Sequence, residues 1–274
     1  MTLAAPLRRR AAAEFTGTGA LVAVVVGSGV QATRLSQDAG VQLLANSTAT
    51  VFGLGVLIAL LGPVSGAHFN PVVTVAAWAV GRRSHAGARA GDGGGDGGGD
   101  RAGGDAGGSG GLRPREVAVY VAAQTAGAVC GAVLADAMFA EPLVRWSGHE
   151  RYAPHLWLGE AVATAGLIVL VLGLPRVRRA HLAPVAVASY IGAAYWFTSS
   201  TSFANPAVTA GRALTDTFAG IAPGSVPMFV VAQIAGLAAG LALFGVLFGA
   251  RPGLPAVAGP TAVPPRPREG SARP

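Results

Sequence analysis

Few side chains in this 274-residue chain are suited to chemistry. The single cysteine, Cys130, lies in an apolar run, where a lone thiol behaves as a small hydrophobe and cannot close an internal disulfide. No second His or Cys stands at ligand spacing from His68, so no metal is expected. No nucleophile–base pair is evident either, which argues against an enzyme. What remains is two Asn-Pro steps and two acids. The first step lies in Gly66-Ala67-His68-Phe69-Asn70-Pro71-Val72-Val73-Thr74 and the second in Ser202-Phe203-Ala204-Asn205-Pro206-Ala207-Val208-Thr209. The acids, Glu14 and Glu160, each open an apolar run. Asn suits the N-cap and Pro the first helical position, so each step reads as a helix start. One such start would be a plain cap. Two of them, matched in an apolar chain, suggest helix ends that meet at the middle of a membrane.

The elements that must hold these residues are apolar helices. The chain is 51% hydrophobic and 12% charged, with a mean hydropathy of 0.50; soluble domains carry about 25% charged residues. The formal charge of +7 could suggest nucleic acid, but the basic residues are scattered over connections between apolar runs, and no nucleic-acid partner is expected. A span needs about 20 mostly apolar residues. Six candidates result: 15–33, 41–61, 117–139, 156–174, 182–198 and 226–248. Two shorter apolar segments, 71–80 and 206–214, follow the Asn-Pro steps. They are too short to cross, and such segments are tolerated in a membrane only where protein or a water-filled cavity satisfies their backbone.

The domain reading is a short N-terminal tail (1–11) and a channel domain (12–250) made of two repeats, about 12–140 and 155–250. A Gly/Asp-rich insertion (84–112) reads as a flexible loop, and a Pro/Arg-rich tail (251–274) as disordered. Aspartates recur at four-residue spacing in the insertion, but the other ligand positions of a calcium loop are missing. The chain has no lysine, so orientation follows from arginine. With both ends in the cytoplasm, only Arg34, Arg145, Arg151 and Arg212 fall on the outer side. That asymmetry favours an inner (plasma) membrane protein with both termini inside.

The halves carry the same marks in the same order: Glu14 and Glu160, then the two Asn-Pro stretches, then Ala123-Gln124-Thr125-Ala126-Gly127 with Gly131 and Ala232-Gln233-Ile234-Ala235-Gly236 with Gly240. Each glycine pair is a small-xxx-small face that lets helix backbones approach. Three spans per half is an odd number, so the halves lie in opposite orientations, and such inverted repeats place the functional site near the midplane at broken helices.

On these motifs the chain resembles the major intrinsic proteins, the aquaporin and glycerol-facilitator family, over about residues 12–250. The resemblance implies an all-α membrane fold of six transmembrane helices and two re-entrant half-helices in an inverted 3+3 repeat. It also implies a homotetramer with one pore in each subunit and no cofactor. Asn70, Pro71, Val72, Asn205, Pro206 and Ala207 would form the pore midplane. The positive ends of the two half-helices oppose cations there, and the two amides hydrogen-bond a passing oxygen so that a proton wire is broken. Glu14 and Glu160 are expected to accept hydrogen bonds from the re-entrant loops, with ion coupling as the alternative. His68 would fix its loop or line the inner mouth.

The outer constriction departs from the family pattern. Typical members carry arginine directly after the second Asn-Pro-Ala; here the residue is Val208. The family's spacing puts the other constriction positions at Thr50, Ser202 and a small residue near Ala193, with Gly192 or Ala194 as neighbours. This filter would be wider and less charged than that of a water-selective pore. Arg212, one helical turn beyond Val208, either supplies a displaced charge at the mouth or pairs with Asp216. The expected function is a passive channel for small uncharged solutes: water, glycerol-type polyols and, by resemblance to arginine-free bacterial branches, neutral metalloid hydroxides such as arsenous acid. An ion-coupled transporter on an inverted-repeat fold and a narrower water channel are the alternatives.

Overall fold

The computed structural model describes residues 5–91 and 112–249, with 83–91 described in backbone only. The described residues form eight α-helices and no strand. Chain order runs α1 (Leu7–Leu35), α2 (Ala39–Ser65), α3 (Pro71–Gly91), α4 (Pro114–Met138), α5 (Pro154–Arg176), α6 (Ala183–Phe197), α7 (Pro206–Arg212) and α8 (Val226–Phe248). The aspartate repeat and the C-terminal tail lie outside the described residues.

Local chemistry sets the boundaries. Proline stands at the start of α3, α4, α5 and α7 and in the first turns of α6 and α8, where its missing N–H costs nothing. The Asp38 carboxylate caps α2 by accepting from Val41 N at 2.9 Å. Gly66, at φ 93°, closes the same helix in the left-handed region.

Among the described residues, five helices are long and apolar enough to cross a membrane: α1, α2, α4, α5 and α8 with the 3₁₀ turn before it. The expected fifth span is shorter than its apolar run suggested. Its α-helix has 15 residues, about 22 Å at 1.5 Å per residue, and the 3₁₀ turn Ala180–Leu182 precedes it. The first short segment is longer than expected. Helix α3 runs on from Val80 to Gly91, where alanines and arginines favour the helix against the glycines among them.

Contacts at the helix ends give the directions. Arg10 pairs with Glu116, which puts the starts of α1 and α4 on one face. Arg34 donates to the Phe139 carbonyl (2.6 Å) and to Glu141 (2.8 Å), which joins their far ends. Likewise Arg176, at the end of α5, reaches the carbonyls of Phe248 and Gly249 at the end of α8. Helices α1 and α4 are thus parallel. Helices α5 and α8 are also parallel to each other, and they run the opposite way.

The two pairs are packed by the same device. A β-carbon on Gly127 would collide with the Phe15 carbonyl and one on Gly131 with the Gly19 carbonyl. In the second half a β-carbon on Gly236 would lie 2.5 Å from the Ala161 carbonyl oxygen, and one on Gly240 2.7 Å from that of Ala165. Only glycine permits such backbone contact. The inverted repeat is therefore a repeat of packing as well as of sequence.

Candidate functional site

The site is built from two loops, 66–70 before α3 and 201–205 before α7. Both alternate into the left-handed region at matching positions. Ala67 and Phe69 have φ 48°, and Ser202 and Ala204 have φ 48° and 46°. Non-glycine residues in this region cost about 1–3 kcal/mol each and persist only where neighbours hold them.

The buried acids are those neighbours. Glu14 accepts from His68 N at 3.0 Å, Phe69 N at 2.7 Å and Ser65 Oγ at 2.6 Å. Glu160 accepts from Phe203 N and Ala204 N, both at 2.8 Å. Each acid also takes an amide from the fourth helix of its own half, Gln124 Nε2 at 2.7 Å and Gln233 Nε2 at 2.6 Å. The same amide nitrogens reach Thr74 and Thr209 on the half-helices, each at 3.0 Å. The two Ala-Gln-x-Ala-Gly motifs thus tie helix, acid and re-entrant segment together. Both acids are fully buried, and these donors compensate the cost of a charge in an apolar interior.

The asparagines close the middle. Asn205 Oδ1 accepts from Ala207 N at 3.0 Å and Val208 N at 3.2 Å, while Asn70 Oδ1 accepts from Val72 N at 3.1 Å. Each amide nitrogen then crosses to the other loop. Asn70 Nδ2 donates to the Ala204 carbonyl at 2.7 Å, and Asn205 Nδ2 donates to the Phe69 carbonyl at 2.8 Å. One N–H of each amide is used in this exchange, so each amide retains a second donor.

Both asparagines line a cavity of about 660 Å³ that extends from His181 and Pro184, at the N-terminal face, to Tyr195 and Arg212 at the opposite end. Its lining is largely aliphatic, with Leu21, Val25, Leu54 and Ile58 among its residues; His68, Asn70, Asn205, Ser202, Thr50 and Tyr195 supply polar atoms. Pro71, Val72, Pro206 and Ala207 are absent from this lining. Val72 and Ala207 pack in the hydrophobic core behind the asparagines. His68 lines the cavity, with Nδ1 3.1 Å from Thr74 Oγ1.

The far end needs two corrections. Thr50, Ser202 and Val208 all line the cavity, but Ala193 is exposed on the outer side of α6. Helix α6 faces the cavity with Val187, Ile191 and Tyr195, a four-residue spacing that turns position 193 away. The Tyr195 hydroxyl lies 3.3 Å from Thr50 Oγ1. Arg212 does not pair with Asp216, whose carboxylate takes Arg145 at 3.3 Å and Gly148 N at 2.9 Å. Arg212 is instead buried on the cavity wall; its Nε donates to the Ala219 carbonyl and its guanidinium carbon stands 3.4 Å from the Phe203 ring centroid. An aromatic and a cation therefore stand at this end after all, on residues displaced from the expected positions. Tyr195 shares a stripe with Val187 and Ile191, but α6 is apolar on nearly every side, so its periodicity carried little signal for the first.

Comparison with known proteins agrees with this architecture. A family model described as Major intrinsic protein matches residues 2–89. Aquaglyceroporin AqpS of Rhizobium meliloti (strain 1021) is 44% identical over 237 residues, which is 86% of this chain and 89% of that protein. Among solved structures, the X-ray structure of the aquaglyceroporin from Plasmodium falciparum superposes with a TM-score of 0.55 at 18% identity, covering 89% of this chain and 96% of that one, a likeness of fold. The chain is a multi-pass membrane protein of the major intrinsic protein family, and a channel rather than an enzyme.

Proposed function

We propose that the chain is a passive channel for small uncharged solutes, with glycerol-type polyols and water as its main cargo and neutral metalloid hydroxides such as arsenous acid as a further class. The observation that carries this reading is the reciprocal asparagine pair on a cavity lined mostly by aliphatic side chains with a few polar atoms among them. A polyol presents carbon–hydrogen edges to the aliphatic side chains and hydroxyls to the polar atoms. The spare amide donors of Asn70 and Asn205 bind a passing oxygen, and the two half-helix starts add positive potential that opposes protons and cations. Val208, in place of an arginine, leaves the far constriction open beside Asn205, with Thr50, Tyr195, Ser202 and Arg212 setting its size and polarity.

Ion coupling is disfavoured, because Glu14 and Glu160 are committed to loop N–H groups and glutamines. The arginine distribution supports both termini in the cytoplasm of a plasma-membrane protein. Exposed apolar side chains such as Phe52, Val56 and Leu60 on α2 face lipid or neighbouring copies in a homotetramer. Stopped-flow swelling of proteoliposomes in water, glycerol, urea and arsenite tests the reading. Glycerol and water flux above empty vesicles is expected; no flux for any of the four would sink it.

A further inference from the structure

Beyond the constriction, at the face opposite the N-terminus, lies a second chamber of about 250 Å³. Its charged lining comes from two arginines, Arg212 of α7 and Arg151 of the connection between the repeats. Both are fixed by adjacent carbonyls of one loop: Arg212 Nε donates to Ala219 O, and Arg151 Nε donates to Gly220 O at 3.1 Å. Arg151 is held further by its own N–H, which donates to Ser225 Oγ at 3.0 Å. Both guanidiniums also stand over the Phe203 ring, at 3.4 Å and 5.1 Å from its centroid, a contact that favours cations.

These anchors use each Nε. The terminal nitrogens of both guanidiniums have no hydrogen-bond or ion-pair partner among the described residues, and both side chains line the chamber. Asp216 is committed to Arg145. Glu160, a buried carboxylate bonded to Phe203 N, acts electrostatically on both arginines and offsets one of the two positive charges. The chamber thus retains about one net positive charge, with two planar forks free. Asn46, also on its wall, spends its Nδ2 on Val25 O (2.8 Å) and Ser28 Oγ (2.9 Å), so its Oδ1 is available as an acceptor.

Two guanidinium forks, a net charge near +1 and one acceptor match an oxyanion that carries one charge and keeps a hydroxyl. We propose that this chamber is a binding site for singly charged, protonated oxyanions such as dihydrogen phosphate, and that the bound anion obstructs solute entry. The anionic oxygens take the forks and the hydroxyl donates to Asn46 Oδ1. Because Arg212 lies on the walls of both chamber and cavity, an anion held there stands in the mouth of the solute path. The obstruction rests on the channel reading; the binding does not.

The test uses the full-length protein and inorganic phosphate at mildly acidic pH. Calorimetric titration of the purified protein is expected to show saturable binding, weakened at least tenfold in Arg151→Gln and in Arg212→Gln. In proteoliposomes, external phosphate is expected to reduce glycerol flux by at least half at saturation, relative to a bulky organic sulfonate at equal ionic strength. Arg151 lies outside the solute cavity, so Arg151→Gln should retain glycerol flux and lose the inhibition. Arg151→Lys, which keeps the charge without the fork, should bind with intermediate strength and controls for folding of the connection. Absence of saturable binding, or binding unaltered in both glutamine variants, overturns the site. Binding without any reduction of flux overturns the obstruction. A protein that binds phosphate but passes no glycerol at all would count against the channel reading and leave the site standing.

Discussion

The Tyr195 hydroxyl and Thr50 Oγ1 lie 3.3 Å apart, and both side chains line the far part of the cavity. Thr50 Oγ1 also bonds its own helix at Asn46 O, 2.8 Å away. The pair therefore joins α2 to α6 at this end of the cavity. It puts an aromatic side chain at a constriction whose expected residues were all small.

Tyr195→Ala removes that ring and opens the passage between α2 and α6. Flux of a four- or five-carbon polyol should rise several-fold relative to glycerol, measured as relative swelling rates in proteoliposomes. Tyr195→Phe keeps the ring and should leave the size cut-off near that of the native protein. Equal effects of the two variants would assign the constriction to another residue.

Val208→Arg makes the complementary change. Position 208 is buried on the cavity wall directly after Asn205-Pro206-Ala207, and a guanidinium there would fill space that a polyol needs. Glycerol flux should fall by more than tenfold, about 1.4 kcal/mol of added barrier, while water flux falls less. A variant with unchanged glycerol-to-water ratio would show that Val208 does not set selectivity.

The frame of this channel was legible in the sequence because membrane physics leaves few choices. Long apolar runs, paired Asn-Pro steps and buried acids each mark one kind of position. Glu14 and Glu160 stand where apolar runs contain no other reason for a carboxylate, and their loop contacts follow from the need to satisfy buried N–H groups. The constriction was less legible because it depends on rotation of a helix about its axis. Shifting α6 by two positions exchanges exposed Ala193 for cavity-lining Tyr195, and an all-apolar helix gives little periodic signal to fix that angle. The Arg212 partner was illegible for a different reason. Asp216 is near it in sequence, but Arg145 comes from a distant connection and takes the carboxylate.

Gly131→Leu tests the close packing of α1 on α4. A β-carbon there meets the Gly19 carbonyl, so the helices must separate; overpacking of this kind costs about 1–3 kcal/mol. A fall in thermal stability of the purified protein is expected. Gly224→Ala, at a position with open space around the added carbon, should leave stability unchanged. If both substitutions behave alike, backbone contact at Gly131 does not hold the helices together.

Glu160→Gln tests whether the acid holds the second loop. The carboxylate accepts from Phe203 N, Ala204 N and Gln233 Nε2, whereas a carboxamide offers one oxygen and turns a donor toward one of these donors. At least one buried N–H is left unsatisfied, a loss of about 1–3 kcal/mol. The loop carries Ser202 and Ala204 in the left-handed region, so it should relax and carry the Ala204 carbonyl away from Asn70. Two readouts should move together: lower thermal stability and a several-fold loss of glycerol flux per folded molecule. Equivalent flux in the presence and absence of a proton gradient, for native protein and variant alike, separates this positioning role from ion coupling. Native-like stability with gradient-dependent flux would reverse the assignment and make Glu160 a proton site.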